Sequence, residues 1–286
     1  MSDFPVSLTT AFPTPATNAD GTRTGVIAAL PRLLNGSALL AVRLPSGLAT
    51  AGVSGRYLLA RCGVHGEEER WQNWQIYLRR PLFGVQVRPS LAAEEGEMWE
   101  CHLPLTDDPG YQWLLQQPVG QTINVLGPYG QGFTLHSHSR NLLLLTDAIQ
   151  APLLFALSDA MLDQGGRVTL LVRGSADEID TLTPLLPIPV EVRQATTEAM
   201  WAEQVGDLVP WADQICLALP NVQLPGVAAL IRQYRFRVDA GFAQALVEAD
   251  LVCGVGACLA CVVPVRDGGY TRACVHGPVL DLMKVQ

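Results

Sequence analysis

Short apolar runs bounded by turn residues dominate the first part of the chain. Between Thr24 and Leu126 they fall at residues 38–44, 55–62, 74–87, 98–105 and 121–126, with Gly, Pro, Asn and Asp in the intervals. Runs of that length at that spacing predict an antiparallel β-barrel or sandwich. A short helix is predicted over 111–117, behind the Asp-Pro-Gly turn at 108–110. Near His136 the pattern changes. Residues 142–145 read as a buried strand and 152–162 as a helix with Pro152 in its first turn. Further strands are expected at 168–172, 190–192 and 215–218, and a helix at 222–234. Alternating strands and helices predict a doubly wound parallel α/β unit. The last fifty residues are dense in Cys and Gly and show no clear period, as expected where a metal organises a loop.

The pattern divides the chain into a loose Pro- and Thr-rich tail (1–22), a β-barrel (23–136), an α/β unit (137–238) and a small C-terminal unit (239–286). The expected fold class is therefore multi-domain, β followed by α/β.

Composition narrows the picture. A hydrophobic content of 49% allows a proper core, and the formal charge of −8 argues against nucleic acid or an anionic membrane as partner. The start has no basic stretch followed by an apolar run, and the most apolar segment, 142–157, contains Asp147 and Gln150 and is too short to span a bilayer. A cytoplasmic chain with reduced thiols is the expectation.

Seven cysteines are present, and four of them lie between 253 and 274. The segment Cys253-Gly-Val-Gly-Ala-Cys258-Leu-Ala-Cys261, followed by Cys274, is C-x4-C-x2-C plus a distant Cys. This is the spacing of plant-type [2Fe–2S] ligation. Gly254 and Gly256 let the backbone curl around a cluster with amides facing the sulfurs. Structural zinc, the alternative, usually takes two C-x2-C pairs, and only one is present. Cys62, Cys101 and Cys216 are expected to be small buried residues. The five histidines show no ligand spacing except His136 and His138, and surface positions are expected for them. His276 lies close enough to Cys274 to tune a cluster or to sit near a partner interface.

With these motifs on the page, the chain resembles the electron-transfer subunit of type B dihydroorotate dehydrogenase, a ferredoxin-reductase-like flavoprotein. The resemblance rests on 253–261, on Arg-Ala-Cys-Val-His-Gly-Pro-Val-Leu at 272–280, and on Val-Leu-Gly-Pro-Tyr-Gly-Gln-Gly-Phe at 125–133, which is similar to the family's inter-domain linker. It implies a cytoplasmic oxidoreductase component of pyrimidine biosynthesis. Such a subunit passes electrons from the FMN of a partner catalytic subunit, through [2Fe–2S] and FAD, to NAD, within a heterotetramer.

The resemblance also implies a flavin site. The family's Arg-Pro-x-Ser falls on Arg80, Pro81, Leu82 and Phe83, with Phe83 where serine is usual. Its Gly-Thr pair falls on Gly110 and Tyr111. Arg80 suits a pyrophosphate because its fork donates two parallel bonds. The dinucleotide motifs are altered further. The glycine-rich turn reads Thr146-Asp147-Ala148-Ile149-Gln150-Ala151-Pro152, and the Cys-Gly-x-x-Pro motif reads Cys216-Leu217-Ala218-Leu219-Pro220. Loss of glycine blocks backbone approach to pyrophosphate, and Asp147 repels it. Weak or absent NAD binding is therefore expected. Two alternatives stay open: a reductase subunit for another oxidoreductase, and a structural or regulatory subunit that keeps only the cluster.

Overall fold

The computed structural model describes residues 13–48, 52–63, 78–89 and 96–285. Its first sheet contains β1 (Ala16–Thr17), β2 (Arg23–Ile27), β3 (Arg32–Leu33), β4 (Ser37–Leu44), β5 (Tyr57–Ala60), β6 (Arg80–Pro89), β7 (Glu97–Pro104) and β8 (Thr122–Tyr129). They run in the order β1-β2-β8-β5-β6-β7-β4-β3, and β2 also pairs with β4. Six antiparallel strands therefore close into a barrel, and closure removes exposed edges.

Period-two patterning sets the two barrel faces. Leu40, Val42 and Leu44 of β4 point inward and pack with Trp99, Leu58 and Leu82. Leu39, between them, faces outward onto the second domain's core. Each such fully buried aliphatic side chain stabilises the fold by about 1.5–3 kcal/mol. Helix α1 (Pro109–Leu115) starts at an Asp108 cap and sends Leu114 into the barrel core.

The second sheet begins with β9 (Asn141–Asp147), β10 (Arg167–Arg173), β11 (Glu191–Ala195), β12 (Gln214–Ala218) and β13 (Ala243–Leu246), all parallel. Their order is β11-β10-β9-β12-β13. Helices α2 (Phe155–Asp163) and α3 (Ala176–Leu182) cover one face, with Phe155, Met161, Ile179 and Leu182 buried there. Helices α4 (Glu198–Leu208) and α5 (Leu224–Tyr234) cover the other through Trp201, Val205, Val227 and Ile231. The central β9 is buried along its whole Leu142–Leu145 run because both faces are covered.

The C-terminal segment adds a hairpin of β14 (Val262–Val265) and β15 (Gly269–Arg272), the short helix α6 (Ala273–His276), and β16 (Val279–Asp281). β16 pairs antiparallel with β13 at the edge of the second sheet. The cluster-bearing residues are thus tied to the α/β sheet on both sides, by β13 before them and β16 after.

The expected barrel and doubly wound sheet are both present, with local differences. The strand read over 74–87 is β6, shifted to Arg80–Pro89, and residues 74–77 lie outside the described residues. The helix read over 152–162 is a 3₁₀ turn, Ala151–Leu154, followed by α2. Part of the expected tail is ordered: Ala16 and Thr17 pair with β2. Residues 1–12 lie outside the described residues. Cys62, Cys101 and Cys216 are buried, as expected. His102 is not at the surface: it is buried, and its ring bonds the Ile149 carbonyl at 2.9 Å.

Residues 130–140, between β8 and β9, join the two units. The buried Gln214 and Gln244 side chains both donate to Thr134 O, at 2.6 and 2.7 Å. Their oxygens accept the amides of His136 and Thr134. At the other end of the linker, Gln131 N donates to Gly277 O and Val279 N to Gln131 O. The strand ends of the barrel, the α/β sheet and the cluster segment therefore meet at this linker.

Candidate metal and cofactor site

Hairpin pairing explains how distant cysteines meet. Val262 lies opposite Arg272, so Cys261 and Ala273 sit beside one another at the open end of the ladder. Ala273 N donates to Cys261 O at 2.9 Å, and the first turn of α6 then carries Cys274 inward. The sulfurs of Cys261 and Cys274 are 3.1 Å apart and both residues are buried.

Cys253 and Cys258 form the outer pair. The Cys253 thiol accepts the Cys258 amide, and also the Val255 and Ala257 amides and the Cys258 thiol, which together draw its pKa down to about 6. Cys274 of the inner pair behaves oppositely: burial, then the neighbouring Cys261, pushes it up to about 12. Gly256 N nevertheless donates to the Cys274 sulfur at 3.1 Å.

The loop conformation demands glycine. Gly254 and Gly256 have φ of 72° and 75°. A Cβ on Gly254 would lie 2.7 Å from the Tyr129 ring, and one on Gly256 would lie 2.8 Å from Val275. Leu259 also adopts φ 60°, a strained position for a branched side chain. Arg272 holds the loop by donating to Gly256 O at 3.2 Å.

This arrangement fits a two-iron cluster. Among the described residues no three His, Cys, Asp or Glu side chains gather around a single ion. A [2Fe–2S] cluster needs no such group, because four thiolates divide two to each iron. The loop supplies two such pairs, Cys253 with Cys258 and Cys261 with Cys274. Binding would expel the thiol protons of the inner pair.

The residues assigned to flavin also come together. Arg80 Nε donates to Asp108 Oδ1 at 2.8 Å, and the amides of Gly110 and Tyr111 donate to the same oxygen. A Cβ on Gly110 would lie 2.9 Å from the Arg80 side chain, so only glycine allows this approach. The Tyr111 hydroxyl donates to Pro81 O at 3.0 Å. Burial acts to raise the Asp108 carboxyl, but the Arg80 bond and the two amides outweigh it and hold the carboxyl below its ordinary range. Leu82 points into the barrel core and contributes backbone only. Phe83 is half-buried against the Tyr57 ring, with centroids 5.7 Å apart. The donors suited to a flavin pyrophosphate are thus assembled, with the Asp108 carboxylate already drawing on three of them. The sequence reading missed Asp108 as the hub of this group; its place as helix cap before Pro109 was the available signal.

The crevice at the carboxyl ends of β9, β12 and β13 is where an open α/β sheet takes a dinucleotide. Here Asp147 Oδ1 accepts Gln150 N at 2.8 Å, and Gln150 Nε2 donates to Glu248 Oε1 at 3.0 Å. Asn221 and Glu248 exchange further bonds. Burial, with Glu248 nearby, holds Asp147 above the usual carboxylate range despite the amides it accepts. Leu217 and Cys216 are fully buried, so neither side chain faces this crevice. Gln150 thus links the two carboxylates, through its main-chain N–H to Asp147 and its side-chain amide to Glu248, at the end of the sheet where a pyrophosphate would bring further negative charge.

Comparisons with known proteins agree with this geometry. Residues 248–286 match the family model of the iron-sulfur cluster binding domain of dihydroorotate dehydrogenase B. The chain is 31% identical over 223 residues to the electron transfer subunit of dihydroorotate dehydrogenase B (NAD(+)) from Shouchella clausii (strain KSM-K16), covering 73% of this chain and 80% of that one. The corresponding subunit of Geobacillus sp. (strain WCH70) is 27% identical over 213 residues, with the same coverage. Among solved structures, an NADH-dependent reduced ferredoxin-NADP oxidoreductase superposes with TM-score 0.68 at 18% identity, over 92% of this chain and 89% of the other. Phthalate dioxygenase reductase superposes with TM-score 0.60 at 12% identity, over 92% and 96%. At such identities these structures speak to the fold.

Proposed function

Since the chain belongs to the family of dihydroorotate dehydrogenase B electron-transfer subunits, we propose that its partner is an FMN-containing catalytic subunit that oxidises dihydroorotate, and that the two form a cytoplasmic heterotetramer. Its redox groups are a [2Fe–2S] cluster and FAD. Bound there, they supply one-electron storage at the cluster and one- or two-electron storage at the flavin.

The chain's own residues divide the work. Cys253, Cys258, Cys261 and Cys274 hold the irons, and the amides of the curled loop offset the negative charge of the sulfurs. Arg80, oriented by Asp108, and the backbone of Pro81, Phe83, Gly110 and Tyr111 hold the flavin. The linker fixes the distance between the two, because its Gln131 is bonded to the cluster segment at Gly277 and Val279. The partner meets the exposed side of the cluster loop, where Cys258 is solvent-accessible and Val252, Val255 and Leu259 present apolar side chains around it. Electrons entering there have the shortest path to the irons.

The observation that carries this reading is the contact within each of two cysteine pairs, Cys261 with Cys274 at 3.1 Å and Cys253 with Cys258. The alternative of a cluster-only subunit is answered by the assembled Arg80–Asp108–Gly110 group, which such a subunit has no need to keep. The test is co-expression with a dihydroorotate-oxidising FMN subunit. A stable complex that reduces an artificial acceptor with dihydroorotate supports the proposal. A chain that stays alone and takes no electrons from reduced FMN subunit overturns it.

The two carboxylates at the crevice bear on the final acceptor. We assign to this chain an acceptor other than NAD, with the α/β unit kept as scaffold for β13, β16 and the cluster loop between them.

A further inference from the structure

One polar group near the cysteines has no partner. Tyr57, on barrel strand β5, is fully buried, and among the described residues nothing accepts or donates to its hydroxyl. A buried, unsatisfied hydroxyl destabilises a fold, so its persistence calls for an explanation.

Its surroundings supply one. Tyr57 belongs to the same packed cluster of side chains as Cys261, Cys274 and Val275. Burial is the main influence on its hydroxyl, and the groups that act on it next are Cys274, Cys261 and Cys253, in falling order, and then Tyr129. On its other side the ring touches Phe83 of the flavin strand. The Tyr129 ring, 6.1 Å from Tyr57, fills the space over Gly254 that a Cβ would take. Gly130 closes on Tyr57 as well: a Cβ there would lie 3.0 Å from the ring. Tyr57 is thus held on several sides, with its ring between Phe83 of the flavin motif and the Tyr129 that covers Gly254 of the cysteine loop, and with its one donor unused.

We propose that the Tyr57 hydroxyl donates a hydrogen bond to the sulfurs of the cluster at the Cys261–Cys274 side, and thereby raises the cluster's reduction potential. The proposal rests on the cluster reading above. A phenol O–H stabilises added negative charge on sulfur, and the reduced cluster carries one more negative charge than the oxidised one. Tyr57 acts through the cluster and is a positioning residue. Its effect is to favour transfer of electrons from the partner onto the irons. Amides such as that of Gly256 serve the same sulfurs from the opposite, loop side.

The test is an EPR-monitored redox titration of the full chain reconstituted with its cluster, in wild type and Tyr57→Phe. Loss of the donor is expected to shift the cluster's reduced-to-oxidised ratio at fixed ambient potential about tenfold toward oxidised, equivalent to about 59 mV for one electron. Iron, sulfide and flavin contents are expected to be unchanged. Incorporation of 3-fluorotyrosine at position 57, a stronger donor of similar size, is expected to shift the ratio the other way, and it serves also if Tyr57→Phe fails to fold. Equal potentials in wild type and the variants, with the cluster present, overturn the inference and leave the cluster reading intact. A wild-type chain that takes up no iron or sulfide overturns both.

Discussion

The sulfurs of Cys261 and Cys274 stand 3.1 Å apart, although twelve residues separate them in the chain. A hairpin ladder and a four-residue helix bring them together, and both elements are too short to persist without tertiary support. Cluster binding and local folding at this site are therefore coupled. The apo chain is expected to show fast amide exchange over 253–276, and the reconstituted chain slow exchange, by hydrogen-exchange mass spectrometry.

Arg80 and Asp108 are expected to act on flavin affinity in opposite ways. Replacing Arg80 with Gln removes a charge-assisted bond worth about 1.5–3 kcal/mol, so FAD is expected to bind about ten- to hundredfold more weakly while the cluster stays. Asp108→Asn keeps a helix cap but removes a carboxylate from beside the pyrophosphate. It is expected to bind FAD at least as tightly as wild type. Flavin fluorescence titration separates the two outcomes.

NADH is expected to be a poor reductant of this chain. Asp147 and Glu248 put two carboxylates, linked through Gln150, at the carboxyl end of the sheet, and these are expected to repel a pyrophosphate. Anaerobic mixing of NADH with the flavin-loaded protein is expected to leave the flavin band unbleached over minutes. Prompt bleaching would show that the crevice opens.

His102 gives the fold a specific acid sensitivity. Burial, opposed only by the bond to Ile149 O, depresses its pKa from 6.5 to about 4. The neutral ring is the form the fold prefers, so this contribution is fully present above pH 6.5. It is lost as the pH falls toward 4, by up to about 3 kcal/mol. His102→Gln is expected to flatten the stability profile between pH 6.5 and 4, as read by urea unfolding across that range.

The apolar rim of the cluster loop is expected to be the docking face. Leu259→Asp or Val255→Asp places a charge in the buried centre of that interface. It is expected to weaken co-assembly with the catalytic subunit by roughly tenfold or more, without changing iron content. Analytical ultracentrifugation of the mixed subunits reads this directly.

The sequence revealed features whose cause is local. C-x4-C-x2-C names its cluster because the spacing itself makes the loop curl. The strand at 142–145 declared itself by an unbroken run of leucines. Helices α3 and α4 went unread, although Ser175 and Glu178 form a capping box in plain view and Thr197 caps the next helix. β13 was illegible for a different reason: Ala-Gln-Ala-Leu is short and holds a polar residue, and Gln244 is buried only because it bonds the linker at Thr134. His102 was misplaced on the same grounds, since its side of the barrel is covered by the Ile149 turn of another unit. Tyr57 could not be singled out from β5 alone, because only the folded chain shows that its hydroxyl is buried without a partner.

Cofactor quantification on anaerobically purified protein, wild type and Cys274→Ser, tests the electron-carrier account most directly. The wild type is expected to hold about two irons and two acid-labile sulfides per chain, and the variant to lose both while keeping its barrel fold. A wild type that binds zinc or no metal, or a variant that keeps its full iron and sulfide, would contradict it.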